Sequence, residues 1–414
     1  MALPVLGRLR PKVQRGRAAR RGVEERWAVL TAGLADRSPR LWLHASSAGE
    51  ALQARPLVEA IRAARPEAAI LYSFFSPSAA RLAAQWTTPD ATDYLPYDWP
   101  LVMRRQLRRL APDALILVGA ELWPNLIWAA AEAGVPLAQA CARLGPGCAA
   151  RRFPMRLLAR DLYPRFTALA AVAEEDAEAL RALGADPTGV AVTGDTRIDA
   201  TLERFEAALA LAEPPPWARP DGAGPVIVAG STWPADETLL LAAVARLRTR
   251  HPRLQVVIAP HEPTAEAVQR LAARAGTHGL TTAQFDAPEG TTGAAIVIVD
   301  RVGVLYRLYG AADIGYVGGG FSGAVHNTME PAAWGIPVTI GPHHGGPHEV
   351  EGMLATGGLA VVRTADGLAE LWARWLAEPA LRARAGAAAR AVLDRHRGAS
   401  GRTLDHLRAR GLPI

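Results

Sequence analysis

The stretch LWLHASSAGE, residues 41–50, places a carboxylate directly after an apolar run that is typical of a buried strand. Parallel sheets bind their ligands beyond the carboxyl ends of the strands, so Glu50 is a candidate catalytic residue. Helix capping offers another explanation. Ser46 or Ser47 would cap a helix whose dipole favours an acid in its first turn. The rest of the chain must decide between the two roles.

A glycine-rich stretch, GGGFSGAVHNTMEPAAWG at residues 318–335, follows another strand-like run. Glycines let backbone N–H groups approach an anion, and a helix starting near His326 or Asn327 would point its positive end at the same place. Glu330 would then lie within reach of a ribose. The same glycines could instead serve tight packing between strand and helix. The spacing matches neither a phosphate-binding loop ending in Gly-Lys-Ser/Thr nor GxGxxG.

Two further segments carry polar side chains after predicted strands. In GSTWPADE, residues 230–237, Ser231 and Thr232 could donate to a phosphate, or cap a helix whose first turn Glu237 supports. In GPHHGGPHE, residues 341–349, histidines could line a site for an anionic sugar or belong to an ordinary exposed loop. We expect no metal at the histidines, because they lack the helical spacing of a metal site. They are His343, His344 and His348.

Strand-like apolar runs alternate with alanine- and leucine-rich helical segments along most of the chain, which indicates βαβ units and parallel sheets. The predicted strands are 41–45, 68–74, 114–120, 135–141 and 167–173, then 225–231, 254–260, 294–300, 312–319 and 336–342.

A proline- and glycine-rich segment, residues 212–224, reads as a linker between two domains. We predict an α/β protein with two doubly wound Rossmann-like domains, 1–211 and 225–414, facing across a cleft. The second domain would end in a long helical tail, roughly residues 368–410. The strand order would gather residues 46–50, Glu121, Ser231 and the loop after Val317 around the cleft.

The composition limits the classes of partner and the cellular setting that we expect for the protein. The 414 residues carry a formal net charge of +6, and the positive charge is almost all arginine, which is scattered over helical segments, so we expect no nucleic-acid partner. Two cysteines, Cys141 and Cys148, form no disulfide framework and indicate a reducing, cytoplasmic setting. No apolar run is long enough to span a bilayer, and the N-terminus lacks the apolar core of a signal peptide.

Positive charge is concentrated in residues 8–22 and in the cluster Arg104, Arg105, Arg108 and Arg109. Such clusters attract anionic lipid headgroups, so we predict peripheral contact with a membrane surface, in which Arg15, Arg17, Arg20 and Arg21 take part. A solvated, partly frayed terminus is the alternative.

Six motifs occur in an order that resembles the 3-deoxy-D-manno-octulosonic acid (Kdo) transferase family. The resemblance covers about residues 10–400. The motifs are HASSAGE, AELWPN, CARL, TGDTRID, AGST and GGGFSGAVHNTMEPAA.

The resemblance implies a two-domain GT-B fold and an inverting transfer of Kdo from CMP-Kdo to a lipid A precursor, without a metal or other cofactor. It implies a place at the cytoplasmic face of the inner membrane, in lipopolysaccharide biosynthesis. Glu50 matches the family's proposed catalytic base. The donor-binding residues would be Ser231, Thr232, His261, Gly318, Gly319, Gly320, Asn327 and Glu330. The acceptor or anion contacts would be Ser47, Gly49, Glu121, Arg143 and Arg197.

The chain departs from the common family pattern at three places. The apolar N-terminus of many members is replaced by the basic segment alone. IAPHEP, residues 258–263, has His261 and Glu262 where members often have an arginine. Gly119 stands where the first acid of the family's acid-Thr-acid-Leu-Trp-Pro-Asn motif is expected.

Two other classes of function remain open. Another GT-B enzyme, such as a UDP-sugar epimerase or a hexosaminyltransferase, would share the glycine loop and the ribose-binding acid but should lack HASSAGE and AELWPN. A catalytically silent nucleotide-sugar or lipid-binding module would be expected to lose the carboxylate at position 50.

Overall fold

A computed structural model describes residues 11–145, 147–210, 224–286, 293–345 and 347–414. The chain forms two compact units. The first contains the described residues up to Ala200 together with Gly398–Ile414, and the second contains Thr201–Arg397. Most of the predicted linker, residues 212–223, lies outside the described residues.

The first unit is built on seven parallel strands with helices between them. Its strands are β1 (Arg40–Ala45), β2 (Ala69–Phe74), β3 (Ala91–Tyr94), β4 (Ala114–Val118), β5 (Leu137–Ala142), β6 (Ala168–Ala171) and β7 (Val190–Val192). Its helices before Ala200 are α1 (Pro11–Ala19), α2 (Val23–Thr31), α3 (Ala48–Ala64), α4 (Pro77–Ala84), α5 (Pro100–Leu110), α6 (Pro124–Glu132), α7 (Met155–Leu162) and α8 (Glu174–Ala182); α9 (Arg197–Ala210) continues into the second unit.

The second unit repeats this plan with seven more parallel strands. They are β8 (Val226–Thr232), β9 (Gln255–Pro260), β10 (Thr282–Gln284), β11 (Ile296–Ile298), β12 (Ile314–Val317), β13 (Val338–Ile340) and β14 (Leu359–Val361). Its helices are α10 (Pro234–Arg248), α11 (Ala265–Thr277), α12 (Leu305–Leu308), α13 (Met329–Ala333), α14 (His348–Thr356), α15 (Ala365–Ala377) and α16 (Pro379–His396).

Both sheets reverse their winding beside their first strand. The first sheet has the order β3-β2-β1-β4-β5-β6-β7, and the second has β10-β11-β9-β8-β12-β13-β14. After β1 the chain adds its next strand on one side of the sheet, and after β4 it adds the next strand on the other side. The same is true of β8 and β12. This leaves a crevice beyond the carboxyl ends of each pair, where doubly wound sheets bind ligands.

The predicted helical tail consists of α15, α16 and a further helix, α17 (Ala399–Ala409). The prediction that the whole tail belongs to the second domain is wrong, because α17 packs against α3 and β6 of the first unit. Its Leu404 and Leu407 are buried in the first hydrophobic core. The carboxylate of Asp199 accepts hydrogen bonds from the N–H groups of Gly398 (2.6 Å) and Ser400 (2.7 Å) and so fixes the start of α17.

The arginines of the basic N-terminal segment differ in how exposed they are. Arg15, Arg17 and Arg21 are exposed, as predicted. Arg20 is buried, with its guanidinium 3.8 Å from the centre of the Phe75 ring and its Nε bonded to the carbonyl of Leu95. The prediction that Arg20 faces a membrane is therefore wrong, because its charge is enclosed by aromatic rings and backbone carbonyls. Within the described parts of the chain, no helix is both long and apolar enough to cross a bilayer.

Candidate functional site

The crevice between β1 and β4 opens into a cavity of about 220 Å³ that contains Glu50. Five residues predicted from the sequence line it, together with four that were not predicted. The predicted ones are Ser47, Gly49, Glu50, Arg143 and Arg197, and the others are Gln53, Gly119, Ala120 and Cys141. Glu121 lies outside this lining, on the exposed turn that follows β4.

Glu50 caps its own helix. Ser47 is the N-cap of α3, and its hydroxyl accepts from the N–H of Glu50 while one carboxylate oxygen of Glu50, Oε2, accepts from the N–H of Ser47 at 2.9 Å. This reciprocal arrangement is a capping box. The capping explanation is therefore confirmed, and the same carboxylate also faces the cavity. One oxygen holds the helix start, so any proton chemistry falls to Oε1.

Gly119 makes room for that second oxygen. A Cβ atom at position 119 would lie 2.6 Å from Oε1 of Glu50. Gly119 also has φ of +95°, a backbone conformation that residues with side chains rarely adopt. A residue with a side chain at this position would have to displace the carboxylate of Glu50.

The surroundings of Glu50 make its carboxylate a stronger base than an ordinary glutamate. Burial raises its pKa, and the negative charge of Glu121 raises it further, while hydrogen bonds from Ser47 oppose the shift. A pKa closer to neutrality favours proton transfer from a sugar hydroxyl.

Arg197 is held against the wall of the cavity by Asp195. Its Nε and Nη2 both donate to Oδ2 of Asp195, at 2.9 and 2.6 Å, and Gln53 donates to the other oxygen at 3.2 Å. Burial alone would raise the pKa of Asp195, but the charge and hydrogen bonds of Arg197 outweigh it and lower that pKa. Asp195 thus positions the guanidinium at the cavity, where Arg143 is its neighbour in the lining.

A buried polar network beneath the cavity was not predicted. His44 is enclosed, with Nδ1 2.9 Å from the Ser73 hydroxyl and Nε2 3.1 Å from the Ser46 hydroxyl. The indole N–H of Trp123 also bonds to the Ser46 hydroxyl, at 3.2 Å. Burial lowers the pKa of His44 to about 3, so the imidazole is neutral. The network ties the turn before Glu50 to the turn that carries Glu121.

Both crevices contain a non-glycine residue with left-handed backbone. Cys141 in the first unit and Ser231 in the second each have φ of +53°. The pairing register shifts next to both residues, so each lies at an irregularity near the end of its strand. Strained residues of this kind concentrate at functional sites. The left-handed conformation of Cys141 could not be predicted from the sequence.

The crevice between β8 and β12 opens into a cavity of about 280 Å³ in the second unit. It brings together three of the predicted donor-binding residues with seven that were not predicted as ligands. The predicted residues are Ser231, Asn327 and Glu330, and the others are Arg204, Gly303, Leu305, Tyr306, Tyr309, Val317 and His326.

Glu330 is partly enclosed and lies opposite a cation. Its Oε1 is 3.5 Å from Nη1 of Arg204, whose guanidinium lies 3.4 Å from the centre of the Tyr306 ring. Burial raises the pKa of Glu330, and the charge of Arg204 opposes that shift. A carboxylate beside an aromatic ring and a guanidinium can bind the hydroxyl groups and the base of a nucleoside.

The glycine loop differs from the prediction in how it uses its N–H groups. Gly318 donates to the carbonyl of Gly230 at 2.9 Å, and Gly319 donates to the carboxylate of Asp236 at 3.0 Å. Ser322 and Gly323 both donate to the carbonyl of Gly319. Four N–H groups predicted to meet a phosphate are thus already bonded within the protein.

The glycines of this loop also serve packing. Cβ atoms at Gly318 and Gly320 would lie 2.4 Å and 2.7 Å from the backbone of Ser231 and Gly341 respectively. The helix predicted to start near Asn327 begins at Met329 and has only five residues. Asn327 instead accepts the N–H of Met329 with its side chain, at 3.1 Å. The helix thus starts two residues after Asn327, and a helix of five residues has only a weak dipole to offer an anion.

Ser231 and Thr232 do not cap α10. Its N-cap is Trp233, whose N–H donates to the carboxylate of Asp236, and Asp236 rather than Glu237 completes the helix start. Ser231 is left to line the cavity, whereas Thr232 is buried.

His261, the remaining predicted ligand, lies in an aromatic stack. Its ring is 4.2 Å from that of His326 and 4.8 Å from that of Trp233, measured between ring centres. The indole N–H of Trp233 donates to Nε2 of His326 at 2.9 Å, which leaves the proton of a neutral His326 on Nδ1. Burial and the neighbouring His261 lower the pKa of His326.

The three histidines of residues 341–349 are spread out rather than gathered. The backbone N–H of His343 donates to the carbonyl of Gly320, Nδ1 of His344 is 3.5 Å from Glu351, and His348 starts α14. No group of three or more side chains suited to a metal ion occurs in the described ranges.

Comparison with known proteins identifies relatives of this chain. Residues 21–200 match the family model described as 3-Deoxy-D-manno-octulosonic-acid transferase (kdotransferase). A 3-deoxy-D-manno-octulosonic acid transferase of Bordetella pertussis is 33% identical over 380 residues, covering 89% of this chain and 86% of the relative. A protein of the same name from Haemophilus influenzae is 28% identical over the same shares of the two chains.

Solved structures of low sequence identity share the fold. The UDP-GlcNAc 2-epimerase from Neisseria meningitidis bound to UDP-GlcNAc has a TM-score of 0.60 at 13% identity, over 89% of this chain and 100% of that chain. The UDP-GlcNAc 2-epimerase from Methanocaldococcus jannaschii has a TM-score of 0.56 at 13% identity, over 86% and 99%. These likenesses concern the fold alone. With the two parallel sheets, they confirm the predicted fold class.

Proposed function

The chain belongs to the 3-deoxy-D-manno-octulosonic acid transferase family, and we propose that it is an inverting GT-B glycosyltransferase that moves Kdo from CMP-Kdo to a lipid A precursor. The observation that carries the proposal is the cavity of Glu50, where a carboxylate of raised pKa shares a lining with two arginines. A base and cations together suit a reaction between a sugar hydroxyl and an acidic donor sugar.

In the proposed reaction, Oε1 of Glu50 accepts the proton of an acceptor sugar hydroxyl. The hydroxyl oxygen attacks the anomeric carbon of Kdo, and the bond from that carbon to the CMP phosphate oxygen breaks. CMP leaves with the bonding electron pair, and the configuration inverts in one displacement. One base suffices, and we propose that no metal takes part.

The nucleotide of the donor would occupy the cavity of the second unit. Glu330 would accept hydrogen bonds from the ribose hydroxyls, with Arg204 and Tyr306 beside it. Four N–H groups of the glycine loop are already bonded within the protein, so fewer of them remain for the donor phosphate than the sequence predicts. The hydroxyl of Ser231 and the imidazole of His326 line the same cavity and could donate hydrogen bonds to that phosphate.

The acceptor side would use the cations of the first unit. Arg143 and Arg197 would bind the Kdo carboxylate or a lipid phosphate, since a guanidinium can pair with such groups through two hydrogen bonds. We further propose that the protein acts at the cytoplasmic face of the inner membrane as a peripheral protein, because the acceptor is a membrane lipid.

The test is a product analysis by mass spectrometry with CMP-Kdo and a tetra-acylated disaccharide acceptor. We expect a product heavier by one or more Kdo residues, and CMP should bind more tightly than UDP in calorimetry. Glu330→Ala should weaken CMP binding roughly 10- to 150-fold, since a hydrogen bond to a charged group contributes about 1.5–3 kcal/mol. Tighter binding of UDP, with no Kdo product, would contradict the proposal and favour another GT-B enzyme.

A further inference from the structure

Three large apolar side chains are exposed within five residues of one another in the first unit. Phe153, Met155 and Leu157 are 81%, 45% and 60% exposed. They lie just before and on α7, whose Ala159 and Leu162 face the core. Single exposed apolar residues are common on protein surfaces, but a cluster such as this marks an interaction site. We call the surface formed by residues 151–160 the 151–160 face.

The polar residues of the 151–160 face are all arginines. Arg151, Arg152, Arg156 and Arg160 are exposed, and the segment contains no acid. Arg151 donates to the carbonyl of Leu144, whereas the other three make no ion pair or hydrogen bond through their side chains to any described residue.

The other basic cluster of this unit is partly neutralised. Arg104 forms an ion pair with Glu132 at 2.8 Å, and Arg105 forms one with Glu24 at 3.0 Å. Arg20, in the basic N-terminal segment, is buried. The 151–160 face therefore combines unpaired positive charge with exposed apolar side chains.

A cavity of about 310 Å³ lies behind the 151–160 face. Met155, Leu158 and Ala159 form one side of it, and the turn after β4 forms another, including Ala120 and Glu121. Ala120 also lines the cavity of Glu50. The apolar and basic surface thus borders the candidate acceptor site.

We propose that the 151–160 face docks onto an anionic lipid bilayer. Phe153 and Leu157 enter the boundary between headgroups and acyl chains, and the arginines bind the phosphates of the headgroups while their apolar stems lie along the lipid. This inference rests on the proposed function, since a lipid acceptor must reach Glu50 from a membrane. The docked face would present the acceptor's headgroup beside Ala120.

The experiment measures co-sedimentation of the full chain with vesicles in the absence of donor and acceptor. Vesicles of phosphatidylethanolamine with phosphatidylglycerol supply the anionic surface, and phosphatidylcholine vesicles supply the neutral one. We expect binding to the anionic vesicles that declines steeply between low and physiological salt. The double variant Phe153→Ser, Leu157→Ser and the triple variant Arg152→Ser, Arg156→Ser, Arg160→Ser should each bind at least 10-fold more weakly.

Matched controls come from other exposed positions. Val29→Ser with Val302→Ser removes two apolar side chains that are 77% and 64% exposed. Arg384→Ser with Arg395→Ser lowers the charge of the second unit, and each arginine there is exposed. Both controls should bind vesicles nearly as the unaltered chain does, and circular dichroism should show that every variant is folded.

Two results would overturn the inference. One is equal vesicle binding by the variants of the 151–160 face and the controls. The other is loss of self-association in sedimentation velocity with unchanged vesicle binding, which would make the face a protein interface. Vesicle binding is measured without substrates. It therefore tests whether the 151–160 face binds a membrane even if the proposed transfer reaction does not occur. Activity on detergent-dispersed acceptor should be kept by the variants.

Discussion

Glu50 has two roles that one substitution can separate. Gln preserves a capping box, because its amide oxygen accepts the N–H of Ser47, but Gln cannot take a proton. We predict that Glu50→Gln lowers turnover roughly 10²- to 10⁴-fold, the usual contribution of a general base, with little change in thermal stability or CMP affinity. Steady-state kinetics and thermal unfolding measure the two effects.

Ser47→Ala is the matched control for this prediction. It removes the cap hydroxyl and keeps the carboxylate, so it should cost about 1 kcal/mol of stability and leave most of the turnover. Turnover of Glu50→Gln close to that of the unaltered chain would reduce Glu50 to a helix cap.

Glu121 should shift the pH dependence of the reaction through its charge, in addition to the larger effect of burial. Burial and Glu121 raise the pKa of Glu50, so turnover should fall as pH decreases through that raised pKa, above the range of an ordinary glutamate. Glu121→Gln removes one cause of the shift, and the acidic limb should move to lower pH. A pH–rate profile measures this, and an acidic limb that stays in place would show that another group controls it.

Site residues that directly follow a strand in the sequence could be predicted. Site residues that come from distant segments of the chain could not. Ser47, Gly49 and Glu50 follow β1 directly, so one strand prediction located all three. Arg204 and Tyr306 meet Glu330 from segments that lie far away along the chain. The use of the glycine loop's N–H groups could not be predicted either, because it depends on the carboxylate of Asp236 across the turn.

At the scale of elements, the ends of the central strands control the position of the base. Gly119 follows β4, and an alanine there would combine left-handed strain with a contact to Oε1 of Glu50. We predict that Gly119→Ala lowers both stability and turnover. Gly134 provides the control, since its φ is +67° and no atom lies within 4 Å of a Cβ placed there.

Gly134→Ala should therefore show the strain alone, about 1–2 kcal/mol in thermal or denaturant unfolding, with normal turnover. If the two variants have equal turnover, the contact between position 119 and Glu50 has no influence on the reaction.

Every strand that the sequence failed to predict lies at the edge of a sheet. The four are β3, β7, β10 and β14, each of three or four residues. Central strands are covered by helices on both faces, so they show continuous apolar runs. The edge strand Thr282–Gln284 is short and partly exposed, so its own composition shows no apolar run that would predict a strand.

At the scale of the whole molecule, the chain passes from the first unit to the second and back, and α17 completes the first unit. Leu407 is fully buried in that core. We predict that Leu407→Ala destabilises the first unit by about 2–5 kcal/mol, as other buried leucines do. Hydrogen exchange followed by mass spectrometry should show lost protection in β1 to β7 and retained protection in β8 to β14.

Leu393→Ala is the matched control, because Leu393 is equally buried and lies on α16 of the second unit. Leu393→Ala should show lost protection from hydrogen exchange in β8 to β14 and retained protection in β1 to β7. The same pattern of exchange in both variants would mean that the two units do not unfold separately.

The return of α17 also affects how the protein is made. A ribosome releases the strands of the first sheet before it begins Thr201–Arg397, yet the helix that covers part of their core follows that whole segment. At about 5–20 residues per second, the nascent chain would wait roughly 10–40 s for its last helix. During that interval the apolar surface beneath Leu404 and Leu407 stays uncovered, so the first unit to be synthesised is the last to be finished and the one most in need of chaperones.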